Sequence, residues 1–370
     1  MGYATWAQAL SGHRLQLLGN TGKGGWTTGQ IRDTIGDVLA LKPGWVHELS
    51  GTNNLVSDAL VAQAKVDKLA MWDTYERAGI RVIVGTLPPY GIYTGSMRVW
   101  LDDLNEWIRQ QAQKRPNIVL VDYFEVHAGE LGNYEIGYNR DNTHTNPIGA
   151  AASGRLLANV IKQLVPPRRV VSHAQGDSAN LVTAGRSKDG GAGTVPTLWS
   201  TPNLAAGAFS RIARTDGVNG RWQSITVANG SNGSNGSNGS NGSNGTIQHN
   251  IAVNGTTLSV GDVVISAIEF DISNPDPAAA AKTQGFSTRL QAYNGSTTTD
   301  LAQSMCFAPT STDNFPSWSR SGILVTPPAT IPAGTTTLLF QVLCNGGGTY
   351  NVDRATVRNL TKLGLPTNLG

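Results

Sequence analysis

The residues best suited to chemistry lie together in Arg140-Asp141-Asn142-Thr143-His144-Thr145-Asn146-Pro147. Asp141 and His144 stand three apart, just ahead of a helix start. Asn146 suits an N-cap and Pro147 the first helical position. A carboxylate that accepts from one imidazole nitrogen leaves the other free to take a proton, which is what activating a hydroxyl nucleophile requires. The same D-x-x-H spacing also describes a surface carboxylate beside a solvated histidine, so the elements around it must decide.

Those elements alternate. Leu15 to Leu18 reads as a buried strand that ends in the Gly-rich turn 19–25, and a helix follows over 28–41. Trp45-Val46-His47-Glu48-Leu49 is a second strand, ending in Ser50-Gly51-Thr52-Asn53-Asn54, with a helix over 57–78. Residues 81–86 form a third strand, closed by Leu87-Pro88-Pro89, with a helix over 96–114. Residues 117–121 form a fourth, the loop 125–145 carries the Asp141/His144 pair, and a helix runs over 148–164. Short apolar strands spaced for helical crossovers predict an α/β fold, a parallel sheet covered on both faces. In such sheets the working groups lie past the C-terminal ends of the strands. The loops 19–25, 50–54 and 125–145 all fall at that edge.

Together these loops resemble the SGNH hydrolase family, also called GDSL-type esterases and lipases, over residues 1–165. Leu17-Leu18-Gly19-Asn20-Thr21-Gly22 is similar to its second block, Gly51-Thr52-Asn53-Asn54 to its G-x-N-D block, and Asp141 with His144 to its D-x-x-H block. The resemblance implies a flavodoxin-like sheet with helices on both faces and a Ser-His-Asp mechanism. His144 would be the general base and Asp141 its partner. Gly22, through its backbone N–H, and Asn53, through its carboxamide, would form the oxyanion hole; such donors act where negative charge develops. The usual Asp of the third block is Asn54 here. No cofactor or metal is implied. The substrate would be a small ester or an acylated carbohydrate, with an acetyl group as the leading expectation.

The family's first block, a strand ending in Gly-Asp-Ser, has no counterpart before Tyr3. The nucleophile is therefore expected upstream of this chain. The other candidate is Ser178, in a later Gly176-Asp177-Ser178. His47, His127 and His173 have no carboxylate at matching spacing and read as structural.

Composition sets wider bounds. The 370 residues include 44 Gly, only 14% are charged and the net charge is +3, which argues against a nucleic-acid partner. That balance favours an extracellular or virion-associated setting over a cytoplasmic one. No apolar run reaches the ~18 residues of a membrane span. Cys306 and Cys344 are too few for a disulfide framework; a single bridge and two buried thiols are both open.

After Pro166-Pro167 the helical periods end. Val263–Phe270, Phe286–Tyr293, Gly322–Val325, Thr337–Leu343 and Thr349–Val357 all fit strands of an all-β sandwich. Trp199, Trp222 and Trp318 default to its core. The Asn-Gly-Ser repeat over 229–246 reads as an expanded hairpin loop. The domains expected are a hydrolase-like domain over 1–167, a linker over 168–178 and a sandwich over 179–370. The sandwich resembles, in architecture, jelly-roll carbohydrate-binding modules, which implies a polysaccharide ligand. The competing reading is a non-catalytic binding or structural protein, such as a phage tail or surface module, that keeps the hydrolase fold.

Overall fold

The computed structural model describes residues 2–89, 95–129, 132–135, 137–141, 143–168, 170–174, 176–182, 199–201, 209–218, 220–227, 245–273, 285–307, 320–345 and 348–367. The chain divides into two compact units, Leu17–Val160 and Met1–Gln16 with Ile161–Gly370. This division differs from the sequence boundaries at both ends of the first domain: residues 1–16 and 161–167 group with the sandwich.

In chain order the first part carries α1 (Tyr3–Leu10), α2 (Thr28–Arg32), α3 (Ile35–Ala40), β1 (Trp45–Glu48), α4 (Asp58–Arg77), β2 (Arg81–Gly85), α5 (Ser96–Lys114), β3 (Ile118–Val121), α6 (Tyr123–His127) and α7 (Pro147–Leu164). The three strands form a parallel sheet of order β1-β2-β3. Successive side chains point to opposite faces, and Val82, Ile83 and Val84 are all buried, so both faces of β2 are covered. Val82 and Val84 belong to a core shared with Val61, Met71 and Trp72 of α4 and Leu101, Leu104 and Ile108 of α5. Asn105 on α5 clamps the end of β2: its carboxamide accepts from Leu87 N–H at 2.7 Å and donates to Leu87 C=O at 2.9 Å.

Two expectations for this part of the chain are corrected. Leu15–Leu18 forms no strand, and Leu17 is 53% exposed. A parallel strand needs a neighbour to satisfy its backbone, and among the described residues β1 pairs only with β2. The helix expected over 28–41 is two helices: Thr34 Oγ1 donates to Ile31 C=O at 2.9 Å at the break, a side-chain bond that competes with the helical ladder.

The second part is two antiparallel sheets. Its strands are β4 (Trp199–Ser200), β5 (Phe209–Ala213), β6 (Arg221–Val227), β7 (Gly245–Ala252), β8 (Val263–Ser273), β9 (Gly285–Tyr293), β10 (Thr298–Phe307), β11 (Arg320–Val325), β12 (Ala329–Thr330), β13 (Thr337–Asn345) and β14 (Gly348–Asn359). One sheet has the order β10-β9-β13-β7-β4, the other β11-β8-β14-β6-β5 with β12 on β8. Phe270 of one sheet meets Phe286 of the other, and Phe286 stacks on Tyr350, so the aromatics close a sandwich core.

Helix α1 belongs to this unit and packs on β11. A Cβ at Gly322 would come within 2.3 Å of Ala9 C=O, so the helix backbone sits where a side chain would stand. Most of the repeat lies outside the described residues. The strands that flank it, β6 and β7, belong to different sheets and are not paired as a hairpin. Trp199 and Trp222 are buried as expected, while Trp318 lies outside the described residues. Cys306 and Cys344 both register opposite Phe286 on the intervening strand β9. Their backbones are two strand spacings apart, about 9–10 Å, which is beyond disulfide reach.

Candidate active site

The pair picked out by spacing is assembled. His144 Nδ1 lies 2.9 Å from Asp141 Oδ2 and 3.1 Å from Oδ1. Asp141 Oδ1 also accepts from the backbone N–H of His144 at 2.7 Å and of Thr143 at 3.1 Å. One carboxylate therefore folds its own loop and holds the imidazole. The His144 ring, above all, and these backbone donors hold the Asp141 carboxyl at about 2, so it stays ionised at neutral and mildly acidic pH. Both side chains are open to solvent, His144 at 76% exposure, so Nε2 can be reached by a reactant.

The loop is a small hairpin set ahead of α7. Asn139 bridges Thr145, and Arg140 N–H donates to His144 C=O at 2.8 Å. Asn146 caps α7 by accepting from Gly149 N–H at 2.9 Å, as its residue type foretold.

The second loop follows β1. Asn53 lies on a 3-10 turn, Thr52–Asn54, and donates Nδ2–H to Trp26 C=O at 2.9 Å, which leaves its second amide hydrogen for another acceptor. Gly51 precedes it at φ +120°, and a Cβ there would stand 3.0 Å from Leu104. Glycine is required on both counts. Beneath the turn, Lys68 Nζ pairs with Glu48 at 2.8 and 3.0 Å and lies 3.4 Å from Ser50 Oγ, while the Ser50 hydroxyl donates to Glu48. Lys68 is wholly buried and Glu48 nearly so.

Asn54 has a structural assignment. It is buried, accepts from Thr28 N–H at 3.0 Å and donates to Leu60 C=O at 3.2 Å. A carboxylate could make the first bond and not the second, which accounts for Asn where the resembling family has Asp. Asp67 adds to the same tie, accepting from Thr28 Oγ1 at 2.8 Å and Arg32 at 2.6 Å.

Gly22 is placed differently from its expected role. Its N–H donates to Asn20 Oδ1 at 3.0 Å and is already engaged. The backbone that meets Asn53 belongs to the next turn, where Trp26 N–H donates to Lys23 C=O at 3.4 Å and Gly25 has φ +82°. Sequence reasoning passed over Gly25; the signal was the Gly24-Gly25 pair, a natural seat for positive φ.

Ser178 lies in the other unit, exposed on a turn. Its neighbour Asp177 pairs with Arg358 at 2.6 Å and accepts from Ser172 Oγ at 2.8 Å, so this Gly-Asp-Ser is built into the sandwich. His47 Nε2 is 3.0 Å from the Tyr123 hydroxyl, and His127 Nε2 is 2.6 Å from Ser153 Oγ. Burial lowers both imidazoles to about 4, so each is a neutral structural group at neutral pH. Among the described residues no group of His, Cys, Asp and Glu could hold a metal ion, and no helix is long and apolar enough to cross a membrane.

Residues 1–152 match the GDSL-like Lipase/Acylhydrolase family model. No curated protein matches the chain. Among solved structures, it is similar to a GDSL-like lipase from Bacteroides thetaiotaomicron, at 20% identity and a TM-score of 0.33, over 38% of this chain and 71% of that one. It is similar to a carbohydrate esterase family 3 protein from Talaromyces cellulolyticus, at 19% identity and a TM-score of 0.32, over 38% of this chain and 68% of that one. A third similarity is to the enzymatically active domain of tailspike protein 4 of bacteriophage CBA120, at 8% identity and a TM-score of 0.31, over 49% of this chain and 21% of that one.

Proposed function

Since residues 1–152 match the GDSL-like lipase/acylhydrolase family, we propose that this unit carries the base and oxyanion parts of an ester hydrolase site, with an acetylated carbohydrate as the substrate class. The observation that carries the proposal is the Asp141–His144 pair, at 2.9 Å, with Nε2 open to solvent. His144 Nε2 takes the proton of a serine hydroxyl as that oxygen attacks the ester carbonyl. The proton then passes to the departing alcohol, and a water repeats the sequence to release the acid. Asp141 holds the tautomer. The free amide hydrogen of Asn53, with a backbone N–H of the 23–25 turn, faces the charge on the tetrahedral intermediate.

The test is hydrolysis of p-nitrophenyl acetate by the chain, His144→Ala and Ser178→Ala. Where the wild-type chain turns the ester over, His144→Ala should lower kcat by about 10²–10⁴-fold, and Ser178→Ala should leave it unchanged. Activity lost with Ser178 would make it the nucleophile. A wild-type rate no higher than that of His144→Ala would mean that this chain holds no nucleophile of its own, whether it carries part of a hydrolase site or is the binding or structural module.

A second reading concerns the sandwich. Gln303, Arg289, Gln341 and Gln248 stand in register across four strands of one sheet. Arg289 donates to Gln341 Oε1 at 2.6 and 2.9 Å, Gln341 to Gln248 at 2.6 Å, and Gln248 to Asn250 at 2.7 Å. Gln341 is buried and engaged by its neighbours, so the half-buried Gln303, Arg289 and Gln248 are the groups of this row left to meet the hydroxyls of a neutral glycan, the ligand proposed for this unit. An Arg289→Ala/Gln341→Ala chain should lose retention on insoluble xylan or cellulose. Equal retention of the double variant and the wild type would reject the row as the binding face.

A further inference from the structure

The loop that bears Asp141 and His144 is closed at its base by one side chain. Asn146 Nδ2 donates to Gly137 C=O and reaches Asn139 C=O at 3.4 Å. Its Oδ1 accepts from Gly149 N–H at 2.9 Å, and its backbone N–H donates to Tyr138 C=O at 3.0 Å. The incoming strand of the hairpin and the first turn of α7 are thus joined through a single carboxamide. Gly149 lets them meet: a Cβ there would fall 2.3 Å from Tyr138 C=O. Capping alone does not call for this. Serine, aspartate and asparagine cap helices about equally well, and only asparagine adds an N–H₂ that can bind carbonyls behind it.

From this geometry we infer that Asn146 is a positioning residue for the Asp141–His144 pair, holding the loop to α7 through its two carbonyl contacts, beyond its service as a helix cap. The inference rests on the hydrolase reading for its functional meaning and on the loop geometry for its physical content. With the contacts to Gly137 and Asn139 gone, the Arg140–His144 closure loses its support, and the N–H groups of Thr143 and His144 no longer converge on Asp141.

Asn146→Ser separates the two duties, because Ser still caps α7 but cannot reach those carbonyls. It also adds no charge near Asp141. Asn146→Ala removes both. The first readout is the Asp141 carboxyl titration in the full chain, followed by carbon-13 NMR. It should rise from about 2 in the wild type toward the ordinary carboxylate value of about 3.9 in Asn146→Ser. Thermal unfolding should show Asn146→Ser nearer the wild type than Asn146→Ala. In p-nitrophenyl acetate hydrolysis, Asn146→Ser should lower kcat with KM unchanged. An Asp141 titration that stays at its wild-type position in Asn146→Ser overturns the inference. A wild type with no esterase activity would show that this chain lacks a nucleophile of its own and leave the carboxyl titration to decide the clamp.

Discussion

Asp141→Asn should keep the loop and lose the base. The new amide oxygen can still accept from the N–H groups of Thr143 and His144, the two bonds that shape the turn. Its N–H₂ would then face His144 Nδ1, where the carboxylate now lies at 2.9 Å. To accept from that amide, Nδ1 must give up its proton, and the proton moves to Nε2. That nitrogen has to receive one during catalysis. The same exchange in a serine-protease triad lowers kcat about 10⁴-fold through the wrong tautomer, and a loss of that order is expected here for p-nitrophenyl acetate. Nitrogen-15 shifts of the imidazole at neutral pH supply a check independent of turnover. The wild-type ring should carry its proton on Nδ1 and the variant ring on Nε2. A variant ring still protonated at Nδ1 would refute the assignment of Asp141 as the orienting group.

The second large effect is on stability. Lys68→Ala should cost about 3–5 kcal/mol, because it strands a buried carboxylate. Glu48 now receives two bonds from Lys68 Nζ and one from the Ser50 hydroxyl. Removing the ammonium leaves a single neutral donor to stabilise the charge. Removing both ions, in Glu48→Gln/Lys68→Met, should cost less than Lys68→Ala alone, since no unpaired charge remains. Urea unfolding of the full chain, read at the far-ultraviolet helix band, reports the α/β unit, which holds most of the helix. A Lys68→Ala midpoint equal to that of the wild type would show that Glu48 is protonated or reaches water. The loss would also reach the site, because Ser50 and Gly51 lead directly into the turn that presents Asn53.

The parts of this fold legible in the sequence are those set by local pattern. The helix over 58–77 carries its own Ser57 cap and the helix over 96–114 an apolar face, and three strands appear where short apolar runs end in Gly or polar turns. Asp141, His144 and the Asn146 cap were legible because spacing within one loop fixes their contacts. What depends on partners far along the chain was not. Leu15–Leu18 has the composition of a strand, but a strand exists only beside a neighbour. Lys68 looks like one more charge on an amphipathic helix, and only the position of Glu48 on β1 makes it buried. The Gly22 assignment rested on a block resemblance, and the local bond from Asn20 takes up the N–H that the role requires. β4 is only two residues long, too short to set a pattern.

The seat of α1 on β11 also orders events during synthesis. The stretch Leu17–Val160 is contiguous and draws its core from nearby residues, so it can fold as soon as it has left the ribosome. The other unit must wait, since α1 is made first and its seat on β11 arrives roughly 300 residues later. Until then the faces of Trp6, Ala7, Ala9 and Leu10 that are buried in the finished protein have no partner strand. The early, self-sufficient unit thus emerges while the helix ahead of it is still unmated. The sandwich closes last, when β11 meets a helix made roughly 300 residues before it.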